Sequence, residues 1–207
     1  MFVAIASFSF AALLITLLPG PDTLVVVRGL LRGRRVGALT VAGVLSGLAV
    51  WVCAAALGLA ALLKASEVGY TVLKIAGGVY LLWLGFQSLR SVLHRRPDVQ
   101  RAIVQPRSGL LGSGYIAGLL TDLLNPKVGV FFVTFLPGFV PRGESVGWFS
   151  LLFGAIFVTT TALYFAVLLA VSGKVTDWMQ VPRIRRRLDA LTGLVLVGFG
   201  IRLAVES

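Results

Sequence analysis

The sequence predicts an all-α integral membrane protein, with six transmembrane helices arranged as two inverted three-helix repeats and with helices 1 and 4 broken at proline motifs. Three observations lead to this fold class. The chain is 57% hydrophobic and only 13% charged, six apolar stretches approach the length of a membrane span, and the first and fourth stretches share a proline-containing interruption. Because a soluble domain carries about 25% charged residues, the chain is expected to lie mostly in lipid.

The six apolar stretches each approach the roughly 20 residues that cross a bilayer as a helix. They cover residues 2–27, 37–63, 68–89, 109–136, 146–172 and 188–205. Long runs without alternation, such as VCAAALGLAALL, favour helices over barrel strands, which alternate over about ten residues. Only short connections remain, so residues 1–207 are expected to form a single transmembrane domain, with halves 1–93 and 108–207 joined by a basic cytoplasmic loop at 94–107.

The basic residues are distributed asymmetrically in this chain, whose net charge is +11. Arginines and lysines cluster in the loops after the first, third and fifth spans. The loops after the second and fourth spans carry few charged residues. By the positive-inside rule, loops 28–36, 90–108 and 173–187 are cytoplasmic, and both termini lie outside a bacterial plasma (inner) membrane. Anionic lipid headgroups account for these charges, and no nucleic-acid partner is expected.

The chain holds one cysteine, Cys53, and one histidine, His94. A single cysteine excludes a disulfide or a CxxC redox pair within the chain, and a buried thiol in the second span is expected. One histidine in a basic loop provides no metal cluster. The sequence therefore predicts no metal and no cofactor, and without a nucleophile-and-base arrangement it predicts no enzyme.

Small residues recur at helix-packing spacing in Gly43-xxx-Gly47 and Gly114-xxx-Gly118. Spacing of this kind lets the backbones of neighbouring membrane helices approach closely. Each of these glycines is therefore expected to serve helix packing and not a ligand.

The first and fourth spans share a short motif. Residues 15–21 read ITLLPGP and residues 121–127 read TDLLNPK, so Leu-Leu precedes a proline-containing break in each. The fourth span starts on the opposite side of the membrane from the first, so any relation between the halves is an inverted repeat. In secondary transporters, paired Pro or Gly interruptions of this kind point to the binding site. Chance similarity is the alternative for so short a motif.

Proline interruptions release backbone groups that lipid cannot satisfy. One half-helix ends in free carbonyl oxygens, and the next begins with free amides at its positive dipole end. Two facing breaks would suit a small zwitterion, with its ammonium on carbonyls and its carboxylate on amides. The expected substrate-binding residues are Pro19, Gly20, Pro21, Asp22, Asn125, Pro126 and Lys127.

Ionisable residues beside the breaks are candidates for function, because an unpaired charge at mid-bilayer costs at least ~2.5–3.5 kcal/mol. Asp22 is a candidate for the substrate ammonium or a coupling proton, and Asp122 for a second proton. Lys127 is a candidate partner of the substrate carboxylate, and the Asn125 amide can bridge. An Asp–Lys pair, or snorkelling to the interface, is the alternative. Lys74 in the third span either snorkels or contacts the site.

Four stretches resemble the LysE/RhtB family of amino-acid exporters: LLPGPDTLVVVRGLLRGRRVG, TVLKIAGGVYLLWLGFQSLR, GLLTDLLNPKVGVFFVTFLPGFV and LTGLVLVGFGIRLA. The resemblance implies a six-helix inner-membrane exporter of amino acids, driven by the proton motive force, whose Pro-Gly-Pro and Asn-Pro-Lys motifs form the central site. Asp22 matches a common variant of the first motif, whereas Asp122 stands where many members carry an amide. Amino acids, protons and membrane lipids are the implied partners, and a homodimer is compatible with the family.

The spans hold no interior acidic group besides Asp22 and Asp122 to receive a cationic side chain. A neutral amino acid of the threonine, homoserine or leucine kind is therefore the expected substrate. One alternative is a channel or membrane assembly protein of the same fold, in which the prolines only kink helices. Another is a metal or redox relative, for which the chain lacks a Cys or His cluster. Saturable flux that depends on a pH gradient separates an exporter from a channel.

Overall fold

The computed structural model describes residues 1–65, 113–141 and 143–171 continuously, together with isolated positions between 68 and 90 and between 190 and 201. All regular structure in these residues is helical, in agreement with the predicted all-α class. The helices are α1 (Phe2–Leu17), α2 (Pro21–Leu31), α3 (Arg34–Ala65), α4 (Tyr115–Leu123), α5 (Pro126–Val130) and α6 (Val146–Ala170). A π-helical turn (Phe131–Phe135) and a 3₁₀ turn (Leu136–Phe139) continue α5.

The first and fourth predicted spans are broken at the proline motifs, which confirms that prediction. Helices α1 and α2 meet at 50°, and α4 meets the segment Pro126–Phe139 at 49°. A proline disfavours the helical conformation at the preceding residue. Leu18 and Asn125, which each precede a proline, are accordingly extended, with ψ of 111° and 106°. Pro21 and Pro126 then lie in the first turn of the next helix. Backbone N–H groups in that turn have no acceptor within the helix, so a proline there loses no helical hydrogen bond.

Helices α3 and α6 are each long and apolar enough to cross a membrane, and each bent pair is able to cross as one broken span. The described residues therefore provide up to four membrane spans, as expected of a multi-pass membrane protein. The spans predicted at 68–89 and 188–205, and the loop at 94–107, lie outside the continuously described residues. The six-helix inverted repeat stays a prediction.

Helix α3 packs against α2, α4 and α6. A Cβ on Gly43 would collide with the backbone of Tyr115, and one on Gly118 would collide with the backbone of Thr40. The expected packing role of these two glycines is confirmed. For Gly114 that expectation is wrong, because a Cβ there would meet no described atom within 4 Å and its φ is +94°. Gly114 instead permits the left-handed turn that precedes α4.

Aromatic side chains hold both broken spans against α6. Phe8 of α1 stacks on Phe153 of α6 with ring centroids 4.4 Å apart. Phe131, which follows α5, contacts Phe157 one turn further along α6 at 4.9 Å. Such ring pairs contribute about 0.5–1.5 kcal/mol beyond the area they bury. The cluster therefore places α1 and the segment after α5 side by side on α6.

Cys53 is exposed on the surface of α3, so the expectation of a buried thiol is wrong. The pattern of apolar residues did not reveal its orientation, because a helix in lipid is apolar on its outer face as well as its inner one. A thiol behaves as a small hydrophobic group and is compatible with that outer face.

Candidate functional site

The two helix breaks lie next to each other and are joined by Asn125. Its Nδ2 donates a 2.5 Å hydrogen bond to Oδ2 of Asp22, at the start of α2. Its Oδ1 accepts a 3.1 Å hydrogen bond from the backbone N–H of Lys127 and thereby caps α5. Because both ends of the amide are used, Asn125 fixes the start of α5 against the start of α2. Two breaks that lie about a hundred residues apart in sequence thus form one site.

Lys127 reaches from the second break to the end of α1. Its Nζ donates hydrogen bonds to the carbonyl oxygens of Ile15 at 2.7 Å and Leu18 at 2.9 Å. These oxygens lie where a helix presents its negative dipole end, and the last turn of α1 has no basic residue of its own. In this conformation, Lys127 therefore binds carbonyl oxygens of the kind that the sequence predicts as partners of a substrate ammonium.

The Lys127 side chain passes directly over the first break. A Cβ on Gly20 would lie 3.8 Å from both Cδ and Nζ of Lys127, which is an ordinary contact distance. Beside it, Oδ1 of Asp22 is buried and accepts no hydrogen bond from the described residues. The first break therefore presents one bound ammonium and one carboxylate oxygen with remaining acceptor capacity.

Asp122 lies in α4, before the second break, and is fully buried. Neither oxygen of its carboxyl group has a hydrogen-bond partner among the described residues. The Trp51 Nε1 donates to its backbone oxygen at 3.3 Å, and a Cβ on Gly47 would lie 2.6 Å from its Oδ2. Helix α3 thus leaves room for this side chain through Gly47, whose role is more specific than the expected helix packing.

A cavity of about 30 Å³ lies between the two breaks, α3 and α6. The acidic and basic side chains of Asp22, Asp122 and Lys127 line it, together with Gly20. A volume of this size holds about one or two water molecules, whereas pockets that bind small molecules measure about 300 Å³ or more. In the described conformation the cavity is therefore too small for an organic molecule, and the surrounding helices would have to move apart to admit one.

Four hydroxyl-bearing residues also line the cavity: Thr16, Thr23, Thr161 and Tyr164. The Oγ1 atoms of Thr16 and Thr161 form a buried hydrogen bond of 3.3 Å between α1 and α6. Sequence reasoning missed all four residues. Thr16 precedes Pro19 by about one turn, a signal that could have drawn attention to it, whereas Thr161 has no break nearby in sequence.

The prolines of the predicted site do not line this cavity. Pro19 and Pro21 are absent from its wall, and Pro21 and Pro126 are exposed. Asn125 and Pro126 line a separate, wider apolar groove of about 450 Å³ on another side of the second break. In this conformation the prolines act through the backbone breaks that they cause. Lys74 lies outside the described residues.

Comparison with known proteins places the chain among transporters. The family model described as LysE type translocator matches residues 13–207. The chain is 33% identical to a leucine efflux protein of Klebsiella pneumoniae subsp. pneumoniae, over 96% of this chain and 93% of that protein. It is 30% identical to a threonine efflux protein of Escherichia coli (strain K12), over 100% of this chain and 98% of that protein.

A third relative is an uncharacterized membrane protein, YrhP, of Bacillus subtilis (strain 168), with 28% identity over 92% of this chain and 93% of that protein. No solved structure matches the chain. The family model covers the first break, the second break and every residue of the cavity described above. The expected resemblance is confirmed, and the chain belongs to the family of LysE type translocators.

Proposed function

We propose that this protein is a secondary transporter that exports neutral amino acids across the bacterial plasma membrane, driven by the proton motive force. The observation that carries the proposal is the pairing of the two breaks, in which Asn125 bonds to Asp22 and Lys127 bonds to the end of α1. The efflux proteins of leucine and threonine among the relatives support the same substrate class.

The charges of the cavity suit a zwitterion. Asp22 offers a carboxylate oxygen for an ammonium, and Lys127 offers an ammonium for a carboxylate. An α-amino acid brings both groups and adds no net charge, so its binding leaves the charge of the site unchanged. Apolar residues complete the wall beside these groups and suit an uncharged side chain; they include Val44, Leu48 and Phe157.

Proton coupling follows from placing two carboxyl groups in one small cavity. Asp22 binds either a proton or the substrate ammonium, because a protonated carboxyl group no longer attracts a cation. Exclusive occupancy of this kind exchanges protons moving inward for substrate moving outward. Asp122 is the second proton carrier, since its carboxyl group is fully buried and faces the same cavity. A buried carboxylate without a partner is unfavourable, so the Asp122 carboxylate binds a proton.

The orientation in the membrane follows the distribution of charge. Arg28, Arg32, Arg34 and Arg35 cluster where α2 ends and α3 begins, whereas the connection before α6 is weakly charged. We therefore assign loop 28–36 to the cytoplasm, together with loops 90–108 and 173–187, and both termini to the outer side.

The test is flux into and out of proteoliposomes, with a panel of radiolabelled amino acids and an imposed pH gradient. Wild type is compared with Asp22→Asn, which removes the charge and the titratable proton of residue 22 but keeps an acceptor oxygen, and with Asn125→Ala, which removes the donor of the bond between the breaks. Thr160→Val is the matched control, because the Thr160 hydroxyl bonds only its own helix, at the Ile156 carbonyl, and lies outside the cavity wall.

Saturable, gradient-driven flux of neutral amino acids is expected in wild type and in Thr160→Val, with loss of flux in the two site variants. All four proteins should elute as folded species in size-exclusion chromatography. Absence of flux for every amino acid, or site variants that transport like wild type, would refute the proposal and leave the prolines as simple kinks. Flux without dependence on the pH gradient would indicate a channel.

A further inference from the structure

The ammonium group of Lys127 already occupies a site of defined chemistry. Two carbonyl oxygens, those of Ile15 and Leu18, accept its hydrogen bonds at 2.7 and 2.9 Å. The acceptors lie in the last turn of α1 and at its C-cap residue, just before the first break, and are held there by the backbone. This is a binding site for a primary ammonium, because it binds one in the described conformation.

An amino acid carries the same chemical group. The α-ammonium of a substrate and the side-chain ammonium of a lysine are both primary ammonium ions with three donors and no acceptor. Lys127 therefore already occupies the carbonyls to which a substrate ammonium would bind at this break. It must either bind elsewhere or replace the lysine.

Building on the proposed function, we infer that Lys127 is the resident occupant of the substrate's ammonium site. The substrate's ammonium takes over the carbonyls of Ile15 and Leu18, and the displaced Lys127 pairs with the substrate's carboxylate. No covalent bond changes in this exchange. Each ion of the substrate gains a partner, and the lysine exchanges two carbonyls for a carboxylate.

The exchange explains why both charged groups of an amino acid are needed. An amine without a carboxylate would displace Lys127 from both carbonyls and bring no carboxylate in return. Two ammonium groups would then share Asp22 in a confined cavity, which is strongly unfavourable. A carboxylate without an ammonium would draw Lys127 away, leaving the Leu18 carbonyl without this bond and the Ile15 carbonyl with only its 3.3 Å bond from the Leu18 backbone N–H, which is unfavourable. Only a ligand with both groups restores every bond.

The experiment measures binding to the purified, reconstituted full chain with two matched pairs of probes. L-leucine is paired with 3-methylbutylamine, and L-threonine is paired with 1-amino-2-propanol; each amine equals its amino acid without the carboxylate. Wild type is expected to bind an amino acid and to reject its amine. In Lys127→Met the ammonium site is vacant, so the affinity for the amine should rise by at least about tenfold, the value of one charge-assisted hydrogen bond. Thr160→Val is the control.

A second variant keeps the positive charge. In Lys127→Arg the guanidinium can hold both carbonyls with its fork of donors, so the resident cation is harder to displace and the affinity for the amino acid should fall. A lysine that serves only as a carboxylate partner predicts the opposite, since arginine binds carboxylates at least as well. Unchanged amine affinity in Lys127→Met, or amino-acid affinity in Lys127→Arg equal to or above wild type, overturns the inference.

The outcomes separate this inference from the proposed function. Amino-acid flux in wild type together with unchanged amine affinity in Lys127→Met refutes only the exchange. A gain of amine binding in Lys127→Met, without amino-acid flux in wild type, refutes the export of amino acids but leaves an ammonium site at the end of α1.

Discussion

Replacing Gly47 by alanine is expected to displace the buried Asp122 side chain. A Cβ at position 47 would lie 2.6 Å from Asp122 Oδ2 and 2.9 Å from its Cβ, against 3.4–4 Å for ordinary contact. The residue is fully buried and its backbone oxygen accepts a bond from Trp51, so the carboxyl group can shift only into the cavity of about 30 Å³ that it lines. Overpacking of this kind costs about 1–3 kcal/mol, and it separates α3 from α4 at the wall of the cavity.

The measurement combines thermal unfolding of the reconstituted protein with gradient-driven flux. Gly47→Ala is expected to lower the free energy of unfolding by about 1–3 kcal/mol and to reduce flux. Gly58→Ala is the matched control in the same helix, because a Cβ there would meet no described atom within 4 Å. Alanine is a better helix former than glycine by about 1 kcal/mol, so the control should be as stable as wild type or more so.

A double variant tests whether the effect passes through Asp122. Asp122→Ala removes the carboxyl group, whose Oδ2 is the nearest atom to the new methyl group, and keeps only the Cβ at 2.9 Å. Gly47→Ala combined with Asp122→Ala should therefore be more stable than the sum of the two single effects predicts. Flux should stay low, since the second proposed proton carrier is gone. The reasoning is refuted if Gly47→Ala behaves like Gly58→Ala, or if the two changes are additive in stability.

Two further predictions concern the bond between the breaks and the orientation of the chain. Asn125→Asp replaces the donor to Asp22 by a second carboxyl group and should cost at least about 1.5–3 kcal/mol in thermal unfolding. Exchanging the two side chains, Asp22→Asn with Asn125→Asp, restores a donor and should recover most of that loss; a double variant no more stable than the single one would contradict the bond. In a Cys53→Ser background, an impermeant thiol reagent applied to intact cells should label Glu144→Cys and not Arg35→Cys, and the reverse pattern would overturn the predicted topology.

The positions of the helix breaks could be predicted from sequence because their cause is local. A proline restricts the residue before it and removes its own amide donor, so Leu18 and Asn125 leave the helical conformation wherever the rest of the chain lies. The candidate ionisable residues could be found for a related reason. Charge is rare inside an apolar span, so Asp22, Asp122 and Lys127 stand out against their neighbours.

The partners of those residues could not be predicted, because they depend on contacts between distant segments. Lys127 bonds to a carbonyl 112 residues earlier in the chain. Every residue has a backbone carbonyl, so the sequence does not indicate which one accepts this bond. Gly47 likewise cannot be distinguished in sequence from any other glycine of a packed helix, so its fit against Asp122 could not be predicted. Thr161 is one of three successive threonines, and only the packing of α6 brings it to the cavity.

In the proposed transport cycle, the two connections between the breaks require them to open together. Asn125 bonds to the start of α2 and Lys127 bonds to the end of α1, so a movement of α5 away from the first broken span breaks both contacts. The carboxylate of Asp22, the ammonium of Lys127 and the two carbonyls would then lose these bonds, which is unfavourable in a membrane interior. A zwitterion supplies a partner for each of these groups and so stabilises the opened state selectively. A ligand shifts an equilibrium only by its differential affinity for the two states, and this arrangement concentrates that difference at one site. Opening that depends on a ligand in this way favours a carrier over a channel, which must stay open without one.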